Sequence, residues 1–290
     1  MTITQESDFC IDLHCHSTVS DGALSPEDLV SRAAEQGVSH LALTDHDTIT
    51  GLPAAACSAS EKGISLIMGT ELSCVWRSQT IHIVGLDFDP ENTGFKAALE
   101  QQKANRWARA RAITDRLART QVDNLLDKAR GCANGDVPGR PHFAKVLVEE
   151  GVVKDAGQAF KRYLGQGKPG DVKAFWPELE KIVQWIVDAG GVAVLAHPRK
   201  YRLTATKLRA LVADFKRAGG KAIEVSTSGQ SSGDLGFLAE LCRREKLLAS
   251  QGSDFHFPGA PWCELGRIAK MPDGLEPVWH HFKKPVGGAA

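Results

Sequence analysis

The sequence predicts an α/β protein, a parallel sheet or barrel of βαβ units interrupted once by helices. Three observations predict it. Short apolar runs of strand length alternate with helical stretches through the first hundred residues, and the alternation resumes near residue 177. Between these blocks, from Gln101 to about Leu164, the pattern is helical with no strand. The 290 residues are 42 % hydrophobic and 24 % charged, which excludes a disordered, collagen-like or disulfide-scaffold chain. A chain of this size buries about three quarters of its unfolded surface, enough for a core without covalent staples.

Phe9–Leu13 reads as the first buried strand. The helix Ser25–Gln36 follows: Ser25 suits its cap, Pro26 its first position, and Gly37 ends it. Leu29, Val30, Ala33 and Ala34 form its apolar stripe. Ser39–Thr44 is the second strand and Thr50–Lys62 the second helix, closed by Gly63. Ile64–Met68 and Ile81–Leu86 are the next two strands. In the insertion, Phe95–Thr120 suits one long helix, Gly131–Gly139 a loop, and Arg140–Glu150 and Asp155–Tyr163 two shorter helices. The alternation then returns. Helix Pro177–Ala189 leads to strand Val192–Ala196, helix Thr204–Ala218 to strand Ala222–Ser226, and helix Asp234–Lys246 to strand Leu247–Ser250. The count is about seven strands, with the insertion between the fourth and fifth. Pro272, Pro277 and Pro285 mark a tail that wraps around the domain.

Lys plus Arg and Asp plus Glu are 35 each, so the formal net charge is zero. Neutrality argues against coating a long nucleic acid or a membrane by bulk electrostatics. The charge is not evenly spread, however. Gln101–Lys145 holds ten basic residues against four acidic ones, an excess of six. The seven cysteines are odd in number and form no C-x-x-C pair, the usage of reduced thiols in the cytoplasm. Met1–Cys10 carries Glu6 and Asp8 and no apolar run, so no signal peptide is expected. No apolar run reaches the roughly 18 residues of a membrane span.

The histidines are placed rather than scattered. Six of the ten lie at or near predicted strand ends: His14 and His16 as H-x-H, His46, His82, His197 and His256. Glu71 follows the third strand, and Asp254 the last. In a parallel barrel the strand C-termini open on one face, so these groups converge on one mouth. Two histidines two apart on extended backbone point to the same side. Imidazole and carboxylate together suit zinc, manganese, iron or nickel, and Asp21, Glu71 and Asp254 can bridge ions. A single histidine at a strand end is more often a hydrogen-bonded structural residue; six with three carboxylates at successive ends indicate a metal site. His40, His280 and His281 lack that placement.

The motifs Ile11-Asp12-Leu13-His14-Cys15-His16-Ser17, Ser20-Asp21-Gly22, Thr44-Asp45-His46-Asp47, Gly69-Thr70-Glu71, His82-Ile83-Val84-Gly85, Ala196-His197-Pro198 and Gly252-Ser253-Asp254-Phe255-His256 resemble those of the polymerase and histidinol phosphatase (PHP) superfamily. The resemblance spans essentially the whole chain. It implies a distorted (β/α)7 barrel with a helical insertion forming a lid over the metal site. Residues 1–99 and 170–290 would form the barrel and 100–169 the lid. It also implies two or three divalent ions, manganese first, with zinc and iron as alternatives. His14, His16, Glu71 and Asp254 would hold one, Glu71, His82 and His197 another, and Asp21, His46 and His256 the third. Asp12 and Asp45 would orient neighbouring imidazoles, with direct metal ligation the alternative for either. Asp254 or His197 could handle a proton, although both are expected on metal.

The insertion resembles the branch containing nucleoside 3′,5′-bisphosphate phosphatases, some of whose relatives degrade short RNA from the 5′ end. Its motifs are Asn105-Arg106-Trp107-Ala108-Arg109-Ala110-Arg111, Arg140-Pro141-His142 and Tyr163-Leu164-Gly165-Gln166-Gly167-Lys168-Pro169. Arg106 and Arg109 share a helix face and could grip the uncleaved phosphate, and Asp21 would also meet substrate. Arg140, His142 and Lys168 are further contact candidates, and Trp107 could stack on a base, although a helical tryptophan more often packs into a core. The expected reaction is removal of the 3′-phosphate by attack of a metal-bridging hydroxide. A 5′-to-3′ exoribonuclease and a histidinol-phosphate phosphatase are the rivals. A non-catalytic accessory module is disfavoured by the full set of ligand types. The expected partner is a small phosphorylated nucleotide or short RNA, with a monomeric protein and neither membrane nor protein partner.

Overall fold

The computed structural model describes residues 9–173 and 175–284; Pro285 and most of Met1–Cys10 lie outside the described residues. Seven strands form one sheet in chain order: β1 (Ile11–Cys15), β2 (His40–Leu43), β3 (Ser65–Trp76), β4 (Gln79–Leu86), β5 (Val192–Leu195), β6 (Ala222–Thr227) and β7 (Leu248–Gly252). The sheet curls until its edges meet. The amide of Asp254 donates to His14 O at 2.7 Å and that of His16 to Phe255 O at 2.9 Å. The result is the distorted seven-stranded barrel that the sequence implied.

One expectation fails. The sheet is not wholly parallel, because β4 runs antiparallel to both β3 and β5. Strand β3 continues well past Met68 and turns at Arg77 and Ser78, whose φ values are 45° and 65°. Two successive left-handed residues make the tight hairpin turn that usually carries Asn-Gly. Arg and Ser give no such signal, and the eight cross-strand pairs from Gly69–Leu86 to Trp76–Gln79 impose the turn. The reversal has a functional consequence. His82, near the start of β4, pairs with Ser73 and so lies at the same barrel end as the C-termini of the parallel strands.

Helices α1 (Pro26–Glu35), α2 (Leu52–Lys62), α7 (Leu179–Asp188), α8 (Ala205–Arg217) and α9 (Ser232–Glu245) surround the barrel. Ser25, Thr204 and Ser231 cap α1, α8 and α9, each accepting a backbone N–H three residues on. Leu41, Leu43, Ile83 and Leu195 pack outward against this layer. Ala42, Val84 and Val194, each one residue out of phase, join a second cluster on the opposite face. Val278 and Phe282 of the proline-marked tail pack into that cluster.

The insertion carries α3 (Thr93–Arg116), α4 (Leu125–Cys132), α5 (Arg140–Glu149) and α6 (Ala156–Ala159), the last running into a wider turn over Phe160–Leu164. Helix α4 is absent from the sequence reading; it is eight residues long and contains Gly131, which weakens the helical signal. Helix α3 spans residue 100. Phe95 and Leu99 pack on the barrel core, whereas Ala110 and Ile113 join a separate core with Leu125, Phe143 and Leu164.

Candidate metal centre and anion pocket

Nine ligand-type side chains meet at the barrel mouth: His14, His16, Asp21, His46, Glu71, His82, His197, Asp254 and His256. Their nitrogen and oxygen atoms form four groups, each within 4.8 Å: His14, His16 and Asp254; His14, Glu71 and His197; His46, Glu71 and His82; and His16, Asp21, His46 and His256. Glu71 is the hub. Its Oε2 lies 3.3 Å from His14 Nε2, 3.4 Å from His16 Nε2 and 3.0 Å from His46 Nδ1. Its Oε1 lies 3.0 Å from His82 Nδ1 and 2.9 Å from His197 Nε2. His16 therefore stands with both the Asp254 group and the Asp21 group, a double membership that the sequence did not indicate.

The electrostatics suit divalent cations. Among the described residues, Glu71 Oε2 and the Nδ1 atoms of His16, His46 and His197 are buried without a hydrogen-bond partner. His14 and His16 aim Nε2 at each other across 3.1 Å. Burial pushes His46 down to about 3, which keeps its ring neutral and its lone pair available. Burial opposes ionisation of Glu71, but His82, His14 and His46 outweigh it and hold the carboxylate well below its usual range. At Asp254 burial is outweighed by Lys200 and His14, and at Asp21 by His46 and His256, with the same result. Burial lowers His14, yet Glu224, Glu71 and Asp254 raise it well above the ordinary histidine value. Burial likewise lowers His256, and Asp21 more than reverses this, to about 9. Ionised carboxylates and unfilled imidazole lone pairs at this density fit metal ions.

Several supporting residues were missed by sequence reasoning. Buried Glu224 on β6 accepts from His14 Nδ1 at 2.6 Å and from the His197 amide at 2.6 Å. Its only signal is an acidic residue inside the apolar run Ala222-Ile223-Glu224-Val225. Lys200 Nζ donates to Asp254 Oδ2. Asp47 accepts from Arg106 Nη1 at 2.7 Å and from the Ser73 amide at 2.6 Å. Asp254 and His197 adopt positive φ, 55° and 28°, which aims their side chains at the mouth against ordinary backbone preference.

Asp12 and Asp45 do not orient imidazoles, contrary to expectation. Asp12 accepts the amides of Ser253 at 2.8 Å and Gly266 at 2.9 Å, tying β1 to the chain after β7. Asp45 accepts the Ser17 amide at 2.8 Å and the Ser20 hydroxyl at 2.6 Å, fixing the loop that carries Asp21. Carboxylates this close to crowded amides satisfy those donors first.

Beside the cluster lies a pocket of about 100 Å³ lined by Arg106, Arg109, Arg140 and Trp176, together with Asp21, His46 and His82. Arg109 is buried, donates Nε to Val172 O at 2.8 Å, and stacks over Trp176 at 5.2 Å. Burial, then repulsion from Arg140 and Arg106, lowers its pKa to about 9. Arg140 stands 4.0 Å from Asp171. Trp176 Nε1 is buried and has no partner among the described residues.

Three expected contact residues stand elsewhere. Trp107 lines a separate hollow with Arg111 and Arg130, whose guanidinium groups lie 5.9 and 5.7 Å from its ring. One residue along a helix is a turn of about 100°, so the Trp107 side chain leaves the face that Arg106 uses. His142 Nδ1 accepts the Gly139 amide at 2.9 Å, a cap for α5 rather than part of the pocket lining. Lys168 is exposed in a loop and absent from the pocket lining.

A mixed barrel with histidines and carboxylates at its mouth, beside an arginine pocket, defines a metal-dependent phosphoester hydrolase. The PHP domain family matches residues 12–189, and the chain belongs to that family. It is 47 % identical over 271 residues to a Haemophilus influenzae 5′-3′ exoribonuclease, covering 93 % of this chain and 98 % of that one. It is 42 % identical over 277 residues to a Chromobacterium violaceum 3′,5′-nucleoside bisphosphate phosphatase, covering 95 % and 97 %. A Chromobacterium violaceum amidohydrolase structure with bound sulfate and no metal superposes with a TM-score of 0.87 at 42 % identity, covering 93 % of this chain and 95 % of that one.

Proposed function

We propose that this protein removes the 3′-phosphate from nucleoside 3′,5′-bisphosphates such as pAp, leaving the 5′-monophosphate. One observation carries the reading: an arginine pocket too small for a nucleoside shares Asp21, His46 and His82 with the metal-ligand cluster. Two anion sites side by side suit a substrate with two phosphates. The Chromobacterium violaceum relative's name supports the same substrate.

In this reading His14, His16, Glu71 and Asp254 hold one ion, Glu71, His82 and His197 a second, and Asp21, His46 and His256, with His16 adjacent, a third. Ions held there would supply an activated water and neutralise charge on the phosphoryl oxygens. Manganese is the ion we assign, with zinc and iron the alternatives for this donor set. The residues of the chain do the rest. Arg109, buried without a carboxylate partner among the described residues, binds the uncleaved phosphate alongside Arg106 and Arg140. The unpartnered indole N–H of Trp176 adds a donor. Glu224 fixes the His14 ring, and Lys200 holds Asp254. The enzyme acts as a monomer in the cytoplasm, a placement that its free cysteines favour.

The second reading is 5′-to-3′ exoribonuclease action on short RNA. It has the support of the Haemophilus influenzae relative's name and uses the same two anion sites, for the 5′-phosphate and the first internucleotide phosphate. Turnover of pAp, a 5′-phosphorylated dinucleotide and histidinol phosphate, measured side by side, separates the readings. The highest kcat/KM is expected on pAp; a large preference for histidinol phosphate would overturn the proposal. Asp254→Ala with saturating metal should lose several orders of magnitude in kcat, and near-normal turnover would remove Asp254 from the site.

A further inference from the structure

The proposed reaction uses Arg106, Arg109 and Arg140 and leaves other arginines of the basic insertion without a task. Lys103 and Lys128 face Asp136 and Glu150. Arg111, Arg119, Arg130 and Arg162 form no ion pair among the described residues, and they gather on two aromatic rings instead. The guanidinium groups of Arg111 and Arg130 stand 5.9 and 5.7 Å from the centre of Trp107. Those of Arg119 and Arg162 stand 5.5 and 5.2 Å from the centre of Tyr163. All four arginines are exposed and both rings are half-buried. A hollow of about 330 Å³ opens at the first ring, lined by Trp107, Arg111, Leu126, Asp127 and Arg130.

We infer that this outer face of the insertion binds single-stranded nucleic acid, at a surface distinct from the arginine pocket and independent of which phosphoester the metal centre cleaves. Two like charges crowded on one ring without a carboxylate repel each other, and a phosphate set between them removes that cost. Asp127 offsets part of the charge at the Trp107 hollow; the described residues show no such acidic partner at Tyr163. An aromatic ring with guanidinium groups beside it offers a base something to stack on and the next phosphate something to pair with. The arrangement occurs twice, as a strand with a repeating base and phosphate requires. Trp107 and Arg119 are roughly 18 Å apart along α3 and its extension, at about 1.5 Å per residue. A stacked strand advances about 3.4 Å per nucleotide, so five or six nucleotides span both rings. A duplex hides its base faces, and an acidic peptide has none to stack. Stacking and phosphate pairing read neither the base sequence nor the 2′-hydroxyl, so RNA and DNA strands should bind alike.

The test measures fluorescence anisotropy of labelled 5′-hydroxyl strands with the manganese-loaded protein, strand integrity being checked on a gel. An RNA decamer should bind about tenfold or more tightly than a trimer, which is too short to reach both rings. Trp107→Ala should weaken decamer binding roughly five- to 150-fold, the value of one stacked base. Arg111→Gln with Arg119→Gln removes one exposed guanidinium from each ring, neither of them in the arginine pocket. That double variant should lower the slope of log Kd against log salt by about 1.4, two phosphate contacts at about 0.7 each. Turnover of pAp by all these variants should stay within about twofold of wild type, which shows them folded. A decamer that fails to bind, or binds the variants as it binds the wild type, would overturn the inference and leave the proposed reaction standing. Polyglutamate binding as tightly as the decamer would assign the face to an acidic protein, against the inference. Rejection of the matching DNA decamer would count against it as well, since it demands a reader of the 2′-hydroxyl that these side chains do not provide.

Discussion

Replacing Glu224 by glutamine keeps the shape of the site and changes one oxygen to an NH2. Both native oxygens accept, one from His14 Nδ1 and one from the His197 amide, each at 2.6 Å. The backbone amide of His197 can only donate, so the glutamine oxygen must face it. The new NH2 then faces His14 Nδ1 and forces that ring to carry its proton on Nε2. Nε2 is the atom aimed at His16, Glu71 and Asp254, and once protonated it cannot ligate. Keeping the ligating tautomer would instead forfeit a charge-assisted hydrogen bond, about 1.5–3 kcal/mol, or roughly ten- to 150-fold. Losses of about 10- to 100-fold are usual for residues that orient a metal ligand. Metal affinity of Glu224→Gln should therefore fall by one to two orders of magnitude, read by competition with a chelator, and kcat should fall with it. KM for the bisphosphate should change little, because Glu224 is absent from the arginine pocket lining. A glutamine variant with wild-type metal affinity and turnover would refute the reasoning.

Trp107→Ala should leave kcat/KM on pAp within about twofold and lower Tm by roughly 2–4 °C, since the half-buried ring gives up two guanidinium contacts worth about 0.5–1 kcal/mol each; a large rise in KM, read from initial rates, would return Trp107 to the substrate site. In Gly252→Ala the new Cβ would lie 2.3 Å from His14 Cβ and 2.7 Å from His14 N, so the variant should keep its circular dichroism but bind metal far more weakly; normal metal binding would show that β1 and β7 can part freely. Metal affinity should rise with pH toward about 9, because ion-free His256 holds its proton to about 9 and must release it to ligate. Chelator competition across that range checks the sign, and a flat profile would take His256 out of the ligand set.

Much of the barrel was legible because its signals are local. Ser25 and Pro26 start α1, Gly63 ends α2, and the apolar runs of β5 to β7 bear out their expected strands to within two residues. The ligand-type residues were legible for a similar reason: histidines and carboxylates at strand ends stand out against apolar runs. The reversed strand was not, since Arg77-Ser78 has no turn chemistry and its left-handed pair is imposed by cross-strand pairing. Helix α4 was hidden by its length and its glycine.

The sequence alone determined the fold class, the convergence of the nine ligand-type residues and the basic character of the insertion. All three rest on residue type, spacing and periodicity, which the chain carries without folding. Only the tertiary structure decided which residues of the insertion reach the arginine pocket. Arg106, Arg109 and Arg140 line one pocket with Asp21, His46 and His82, whereas Trp107, His142 and Lys168 do not. Equally, only the fold could select Glu224, brought to His14 from 210 residues away. Partnerships of that kind depend on which faces the packing brings together, and no local pattern in the chain encodes them.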